Sequence, residues 1–146
     1  MRENIKTIFQ WMLVFIWMGV IFWFSSQEGS ISHQKSLNIS VLVEKTIEYI
    51  LDKDLINNSN RDTFEFIIRK IAHMTEYFIL TLLLYNALKN NKRVFLYSFI
   101  IAFLYAVTDE THQIFVQGRG PSPVDVGIDS IGSLIYIGIK KIKKAV

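Results

Sequence analysis

The segment "IFQWMLVFIWMGVIFWF", from Ile8 to Phe24, decides the fold class of this chain, because Gln10 is its single polar side chain. With its flanking residues it reaches the length of about 20 apolar residues that a membrane-spanning helix needs. A removable signal peptide is the competing interpretation, but no A-x-A cleavage site follows the apolar core. The segment therefore predicts an uncleaved first membrane span over residues 7–25.

Three further apolar blocks follow the first one, at about residues 66–88, 94–116 and 124–140, with polar or Gly/Pro-rich turns at 89–93 and 117–123. Hydrophobic residues make up 51% of the chain, and there is no cysteine. The lack of cysteine excludes disulfides and thiolate chemistry. We predict one all-α domain over residues 1–146, built as a four-transmembrane-helix bundle. Three glycines of the last block, Gly127, Gly132 and Gly138, are expected to allow close helix contacts.

The long connection between the first two blocks contains an amphipathic segment at residues 36–54. Leu42, Ile47, Ile50 and Leu51 recur there at helical spacing, with acidic residues between them. Such a pattern is typical of a helix that lies on a membrane surface or caps a bundle. We therefore predict an amphipathic helical segment in the first extracytoplasmic connection.

Basic residues in the short segments orient the bundle. In a chain with four spans, the N-terminus, the turn at 89–93 and the C-terminus share one side of the membrane. Cytoplasmic segments carry an excess of lysine and arginine. The positive charges on this side are Arg2, Lys6, Lys89, Lys92, Arg93, Lys140, Lys141, Lys143 and Lys144. We predict a multi-pass protein of the cell membrane with both termini in the cytoplasm, and no nucleic-acid partner.

Polar residues converge at one depth in the outer half of this predicted bundle. At a rise of 1.5 Å per residue, His73 lies roughly 6 Å below Arg69, and Glu76 about 10 Å below it. The third span carries its polar residues in its outer third, and the fourth span begins with Asp125 and Asp129. Each predicted span thus brings polar side chains to the same extracytoplasmic level.

Helical spacing places these residues on stripes that should face one another. Arg69, His73 and Glu76 follow at i, i+4 and i+7, which is one helix face. Ionised groups that face lipid are costly, so the stripes are expected to turn inward and meet. Glu110 points roughly 100° away from Asp109 and is expected to face another partner or the lipid headgroups. The candidate acid–base or ligand residues are His73, Glu76, Asp109, His112 and Asp129. The candidate substrate-binding residues are Arg69, Gln113, Arg119 and Asp125.

Three interpretations of this cluster stay open, and with them the question of whether the protein is an enzyme. The side chains could hold the bundle together by hydrogen bonds. They could bind a divalent metal, with His73, Glu76, Asp109 and His112 as ligands one helical turn apart in pairs. They could also form a metal-free acid–base or binding pocket in which the arginines hold an anionic group. No other cofactor is predicted.

Four motifs in this chain resemble those of the VanZ-like proteins in order and spacing. They are "FSSQ" (24–27), "RKIAHMTEYFIL" (69–80), "DETHQIFVQGR" (109–119) and "DVGIDSIGS" (125–133). The resemblance covers nearly the whole chain except the connection at 28–65. Two departures are Gln117, where the family often has proline, and Asp129, where it often has asparagine.

The resemblance implies a cell-envelope membrane protein with a link to low-level resistance against teicoplanin, a lipoglycopeptide. Together with the polar cluster, it suggests an outward-facing site that binds or modifies an anionic envelope or lipid-linked molecule. The expected partners are the lipid bilayer and a lipid-linked cell-wall precursor or lipoglycopeptide. The alternative is a non-catalytic protein that aids envelope assembly or blocks antibiotic access. The sequence sets neither the reaction nor the oligomeric state.

Overall fold

The computed structural model of this chain describes residues 2–51 and 60–145, and all regular structure in these two ranges is helical. The all-α prediction is therefore confirmed for them. The elements in chain order are α1 (Arg2–Ser25), α2 (Gly29–Leu51), α3 (Arg61–Ala87), α4 (Val94–His112), a short 3-10 helix (Gln113–Phe115) and α5 (Pro123–Ala145).

Both predicted turns interrupt the helices. Residues 88–93 separate α3 from α4, and residues 116–122 separate the 3-10 helix from α5. Within the second turn, Gly118 has a φ of 74°. That backbone conformation is strained for residues with a side chain but available to glycine. The turn therefore needs a glycine at this position to reverse the chain between α4 and α5.

The central element is α3, which contacts α1, α2, α4 and α5. Its apolar face meets α1 and α4, and side chains from these three helices form the buried core. Two hydrogen bonds also fix α1 against its neighbours. The Trp17 indole donates to the Glu76 carbonyl at 3.0 Å, and the Tyr105 hydroxyl donates to the Met18 carbonyl at 2.6 Å. The core residues are Val14, Ile21, Tyr77, Leu80, Leu84, Ala102 and Ala106.

A glycine permits the contact between α3 and α5. Gly132 lies against the backbone of Met74, and a Cβ atom at this position would overlap the Met74 carbonyl oxygen. The prediction of a close helix contact is confirmed here. It is wrong for Gly127 and Gly138, where a Cβ atom would meet nothing within 4 Å.

The predicted amphipathic segment forms most of α2, which packs mainly against α3. At one end of α2, the Gly29 N–H donates to the Gln117 carbonyl at 3.0 Å. Further along, Glu44 accepts two hydrogen bonds from Arg61 at the start of α3. Thus α2 bridges the 116–122 turn and the beginning of α3. Its residue Leu42 stays exposed, and the predicted residues 52–54 lie outside the described ranges.

Two helical stretches in the described ranges are long and apolar enough to cross a membrane, Glu3–Ser25 and Val94–Phe115. The most apolar window of the first is 11% buried, so apart from a few core residues such as Val14 and Ile21 its side chains are not buried within the protein. Comparably apolar windows are absent from the described parts of α3 and α5, because both helices carry polar residues of the predicted cluster.

Candidate functional site

The predicted cluster lies where the end of α1, the middle of α3, the end of α4 and the start of α5 come together. Asp109 of α4 and Asp129 of α5 are almost fully buried, with exposed fractions of 4% and 3%. Ser25 of α1 is buried as well. Carboxylates are rarely buried to this degree without a partner. The four helices thus carry their polar residues to one buried region.

His73 of α3 stands between two carboxylates. Its Nδ1 atom lies 3.9 Å from Oε2 of Glu76 and 4.0 Å from Oδ1 of Asp129. These distances exceed those of direct hydrogen bonds but permit electrostatic attraction once the imidazole is protonated. Asp109 interacts electrostatically with Glu76 and with Asp129. One imidazole and three carboxylates therefore lie close enough to influence one another electrostatically.

Several buried polar atoms around this group lack a hydrogen-bond partner among the described residues. Buried polar groups in folded proteins are almost always paired, because an unpaired group loses its hydration without compensation. The unpaired atoms include Tyr77 Oη, His112 Nδ1, Asp129 Oδ1 and Ser133 Oγ. Ser25 and Gln113 supply hydrogen bonds to the Asp109 carboxylate.

His112 lies one helical turn after Asp109 on α4 and acts on it electrostatically, but no ion pair joins it to the described residues around His73. Its ring packs against Phe22 of α1, with 4.4 Å between the ring centroids. Among the ion pairs of the described residues, His112 takes part in none. The same ranges contain no group of three or more His, Asp or Glu side chains that could hold a metal ion. The geometry thus gives no support to the metal alternative, whose four ligands stay a prediction.

Two predicted binding residues have partners outside the predicted site. Asp125 forms an ion pair with Lys70 of α3. The Gln113 amide donates to Oε2 of Glu110 at 3.1 Å, while the other oxygen of Glu110 accepts the Ser122 N–H at 2.9 Å. The sequence held a signal for Lys70, which stands three residues before His73 and so shares its helix face. For Glu110, helical spacing predicted that the side chain points away from Asp109, but it did not predict the contacts with Gln113 and Ser122.

Two adjoining cavities open onto this cluster. The first has a volume of ≈ 220 Å³, and its wall includes Phe24, Ile39, Ile68 and Ala72. The second has a volume of ≈ 260 Å³, and its wall is largely polar. The cavities share one set of residues, so a single ligand could reach both. The shared residues are Ser32, Arg69, His73 and Arg119.

Arg69 and Arg119 supply positive charge to the shared wall. Arg119 donates a hydrogen bond of 3.3 Å to the Phe24 carbonyl. Burial lowers the pKa of Arg119, and the nearby Asp109 carboxylate is the largest influence in the opposite direction. A guanidinium keeps its proton in any protein environment, so this partly buried charge persists. Arg69 lies over the Phe66 ring and has no carboxylate within ion-pair distance among the described residues.

Comparison with known proteins gives a family for the chain. The model of the VanZ/LLP1 family matches residues 9–144. This range includes α2 and every residue of the cluster and of the two cavities. No curated protein and no solved structure matched the chain.

Proposed function

Because this chain belongs to the VanZ/LLP1 family, we propose that it is a cell-envelope membrane protein with an outward-facing site for an anionic envelope or lipid-linked molecule. The observation that carries this proposal is the wall shared by the two cavities. Arg69 and Arg119 meet there, beside a buried group of carboxylates around His73.

The proposed arrangement has four membrane spans, formed by α1, α3, α4 and α5, with both termini in the cytoplasm. The apolar length of α1 and α4 supports it. So do the large apolar side chains that α3 and α5 expose, among them Phe66, Ile67, Ile71, Leu134 and Ile139. In water an exposed apolar surface of this extent would be unfavourable, whereas lipid chains would cover it at no cost. In this arrangement the cavities face the extracytoplasmic side.

The charges of the shared wall favour an anionic ligand. A guanidinium group presents N–H donors in a planar fork that matches the oxygens of a carboxylate or a phosphate. Arg69 has no carboxylate within ion-pair distance among the described residues. Arg119 donates one hydrogen bond to the Phe24 carbonyl, which is a neutral acceptor. Both charges are therefore available to a ligand that enters the cavities.

The group around His73 gives the site a second capacity. An imidazole within 4.0 Å of Glu76 and Asp129 can take up or release a proton next to a bound anion. The function we propose is binding at the arginines, with proton exchange at His73 as the step by which the protein could modify its ligand.

We further propose that this site contributes to lipoglycopeptide resistance, and growth under teicoplanin tests it. Cells that produce the wild-type protein should tolerate more teicoplanin than cells with an empty vector. The variants Asp109→Asn, His73→Ala and Arg119→Ala should each lose most of this gain at unchanged protein level, because each removes a group of the site. Full tolerance in all three variants, or no gain from the wild type, would contradict the proposal.

A non-catalytic role in envelope assembly or in blocking antibiotic access is the second candidate. It is favoured by one observation, the apolar side chains that α2 exposes, including Leu42, Tyr49 and Ile50. These side chains could contact a partner protein. A gain in tolerance that survives the three variants of the site but is lost in a Leu42→Asp, Ile50→Asp double variant would support this second function.

A further inference from the structure

We propose that the ligand of this site is a lipid with a phosphate monoester headgroup, which places its phosphate in the cationic second cavity and its chain in the apolar first cavity. The inference rests on the proposed function and names the class of ligand that the site takes. It follows from the charges of one cavity, the apolar wall of the other and their common residues.

The charge of the second cavity fits a doubly charged headgroup. Its wall contains the cations Arg69, Lys70 and Arg119 and one carboxylate, Asp125. Asp125 already forms an ion pair with Lys70, which leaves the two guanidinium groups without an ion-pair partner in this wall. Three carboxylates nevertheless act on Arg119 from outside the wall, those of Asp109, Glu110 and Glu76. A phosphate monoester carries about −1.5 to −2 charges at neutral pH and three acceptor oxygens, so it can contact both guanidinium groups at once. A phosphate diester has a single charge and fewer free oxygens for the same two groups.

The start of α2 adds to the attraction for phosphate. Gly29, the first residue of this helix, and Ser32, in its first turn, both line the second cavity. The N–H groups of Gly29 and Ser32 already donate to the Gln117 and Glu28 carbonyls, so this helix start contributes through its dipole, which is positive at this end. The two arginines and the start of α2 thus surround one volume.

The first cavity suits an apolar chain. Its surface is mostly apolar, from Phe24 of α1, Ile39 of α2, and Ile68 and Ala72 of α3. The other lining residues include the polar side chains of Gln27, Lys35 and Glu76. Phe24 and Ile39 are also exposed at the bundle surface, so a chain could enter sideways from surrounding lipid. Each cavity is smaller than the roughly 300–1,000 Å³ of a pocket for a whole drug-sized ligand, whereas the two together fall within that range. An amphiphile that fills both cavities uses the charge of one and the apolar wall of the other.

The test is a binding titration with the full-length protein in nanodiscs of a zwitterionic lipid. The probes are dioctanoyl phosphatidic acid, a monoester; dioctanoyl phosphatidylglycerol, a diester with the same chains; and inorganic phosphate. We expect the monoester to bind at least about tenfold more tightly than the diester and than inorganic phosphate. Arg69→Gln and Arg119→Gln should each lower the affinity for the monoester by about tenfold, since each removes a charge-assisted contact.

Two further variants make the result specific. Arg93→Gln removes an arginine from the 88–93 turn at the other end of the bundle and should leave binding unchanged. Ala72→Trp places a large ring in the first cavity and should weaken the monoester while the weaker binding of inorganic phosphate persists. Size-exclusion profiles and helical circular dichroism show whether each variant is folded.

The possible failures differ in what they overturn. Equal binding of monoester and diester, with both lost in the arginine variants, would overturn the phosphate-monoester inference and leave the anionic site in place. If Ala72→Trp leaves the affinity for the monoester unchanged, the placement of the lipid chain in the first cavity is wrong. Failure of all three probes to bind the folded wild-type protein would overturn the inference and would also contradict a phosphate-binding form of the proposed function.

Discussion

Glu110 joins two parts of the site that are separated in the sequence. Glu110 as a whole is 6% exposed, and its carboxylate accepts hydrogen bonds from the Ser122 N–H of the 116–122 turn and from the Gln113 amide of the 3-10 helix. Arg119 lies in that turn. Glu110 therefore helps to position the Arg119 guanidinium without a hydrogen bond to it.

We expect Glu110→Gln to destabilise the protein. A glutamine has one acceptor oxygen in place of two, so either the Ser122 N–H or the Gln113 amide loses its partner. An unsatisfied buried donor costs about 1–3 kcal/mol. Thermal unfolding in detergent measures the effect, with Glu28→Gln as the matched control because Glu28 is exposed. Equal unfolding midpoints for the two variants would show that the turn does not depend on Glu110.

Single residues of the site were predicted from the sequence with uneven success. Asp129 lies 4.0 Å from His73, at the shared depth that rise per residue and segment order predict. Depth alone does not predict that His112 packs against Phe22. Helical spacing gives the direction of a side chain relative to its own helix, whereas the neighbour it meets depends on how α1 and α4 pack.

At the scale of helices, the α3–α5 contact depends on Gly132. A Cβ atom there would overlap the Met74 backbone, and a backbone cannot move aside as a side chain can. We expect Gly132→Ala to cost about 1–3 kcal/mol, as overpacking does in a protein interior. The same change at Gly127 or Gly138 should be neutral or stabilising by up to about 1 kcal/mol, because alanine favours helix and has room.

Unfolding midpoints of the three alanine variants check this prediction. A loss of stability confined to Gly132→Ala is expected. Equal effects at all three positions would mean that helix propensity, and not the contact with Met74, decides the outcome.

The helices were predictable because apolar blocks and Gly/Pro turns mark their ends in the sequence. The packing of α2 against its neighbours was harder to predict. Its periodicity indicated an amphipathic helix, but Leu42 is exposed while Glu44 is buried against Arg61. The less exposed side of α2 is therefore mixed: Glu44 pairs with Arg61 of α3, and Val43 and Ile47 are partly buried beside it. Periodicity alone does not tell which face a neighbour takes.

At the scale of the whole molecule, the proposed topology puts the two short turns on opposite sides of the membrane. The chain has no cysteine, so single cysteines can report on each side. We expect Gly120→Cys to react with a membrane-impermeant maleimide in intact cells. Asn90→Cys should react with it only after the cells have been permeabilised. Both positions are exposed, so a lack of labelling cannot be due to burial of the cysteine within the protein. Labelling of both cysteines in intact cells, or the reverse pattern, would contradict four spans with cytoplasmic termini.

The central claim is that the wall of Arg69 and Arg119 holds an anionic group from the envelope. Its most direct test is an experimental structure of the protein extracted with its surrounding lipids in polymer nanodiscs. We expect density for an anionic headgroup in the second cavity, with oxygens about 2.7–2.9 Å from both guanidinium groups. A cavity without such density, with Arg119 turned to pair with Asp109 and Arg69 turned to solvent, would contradict it.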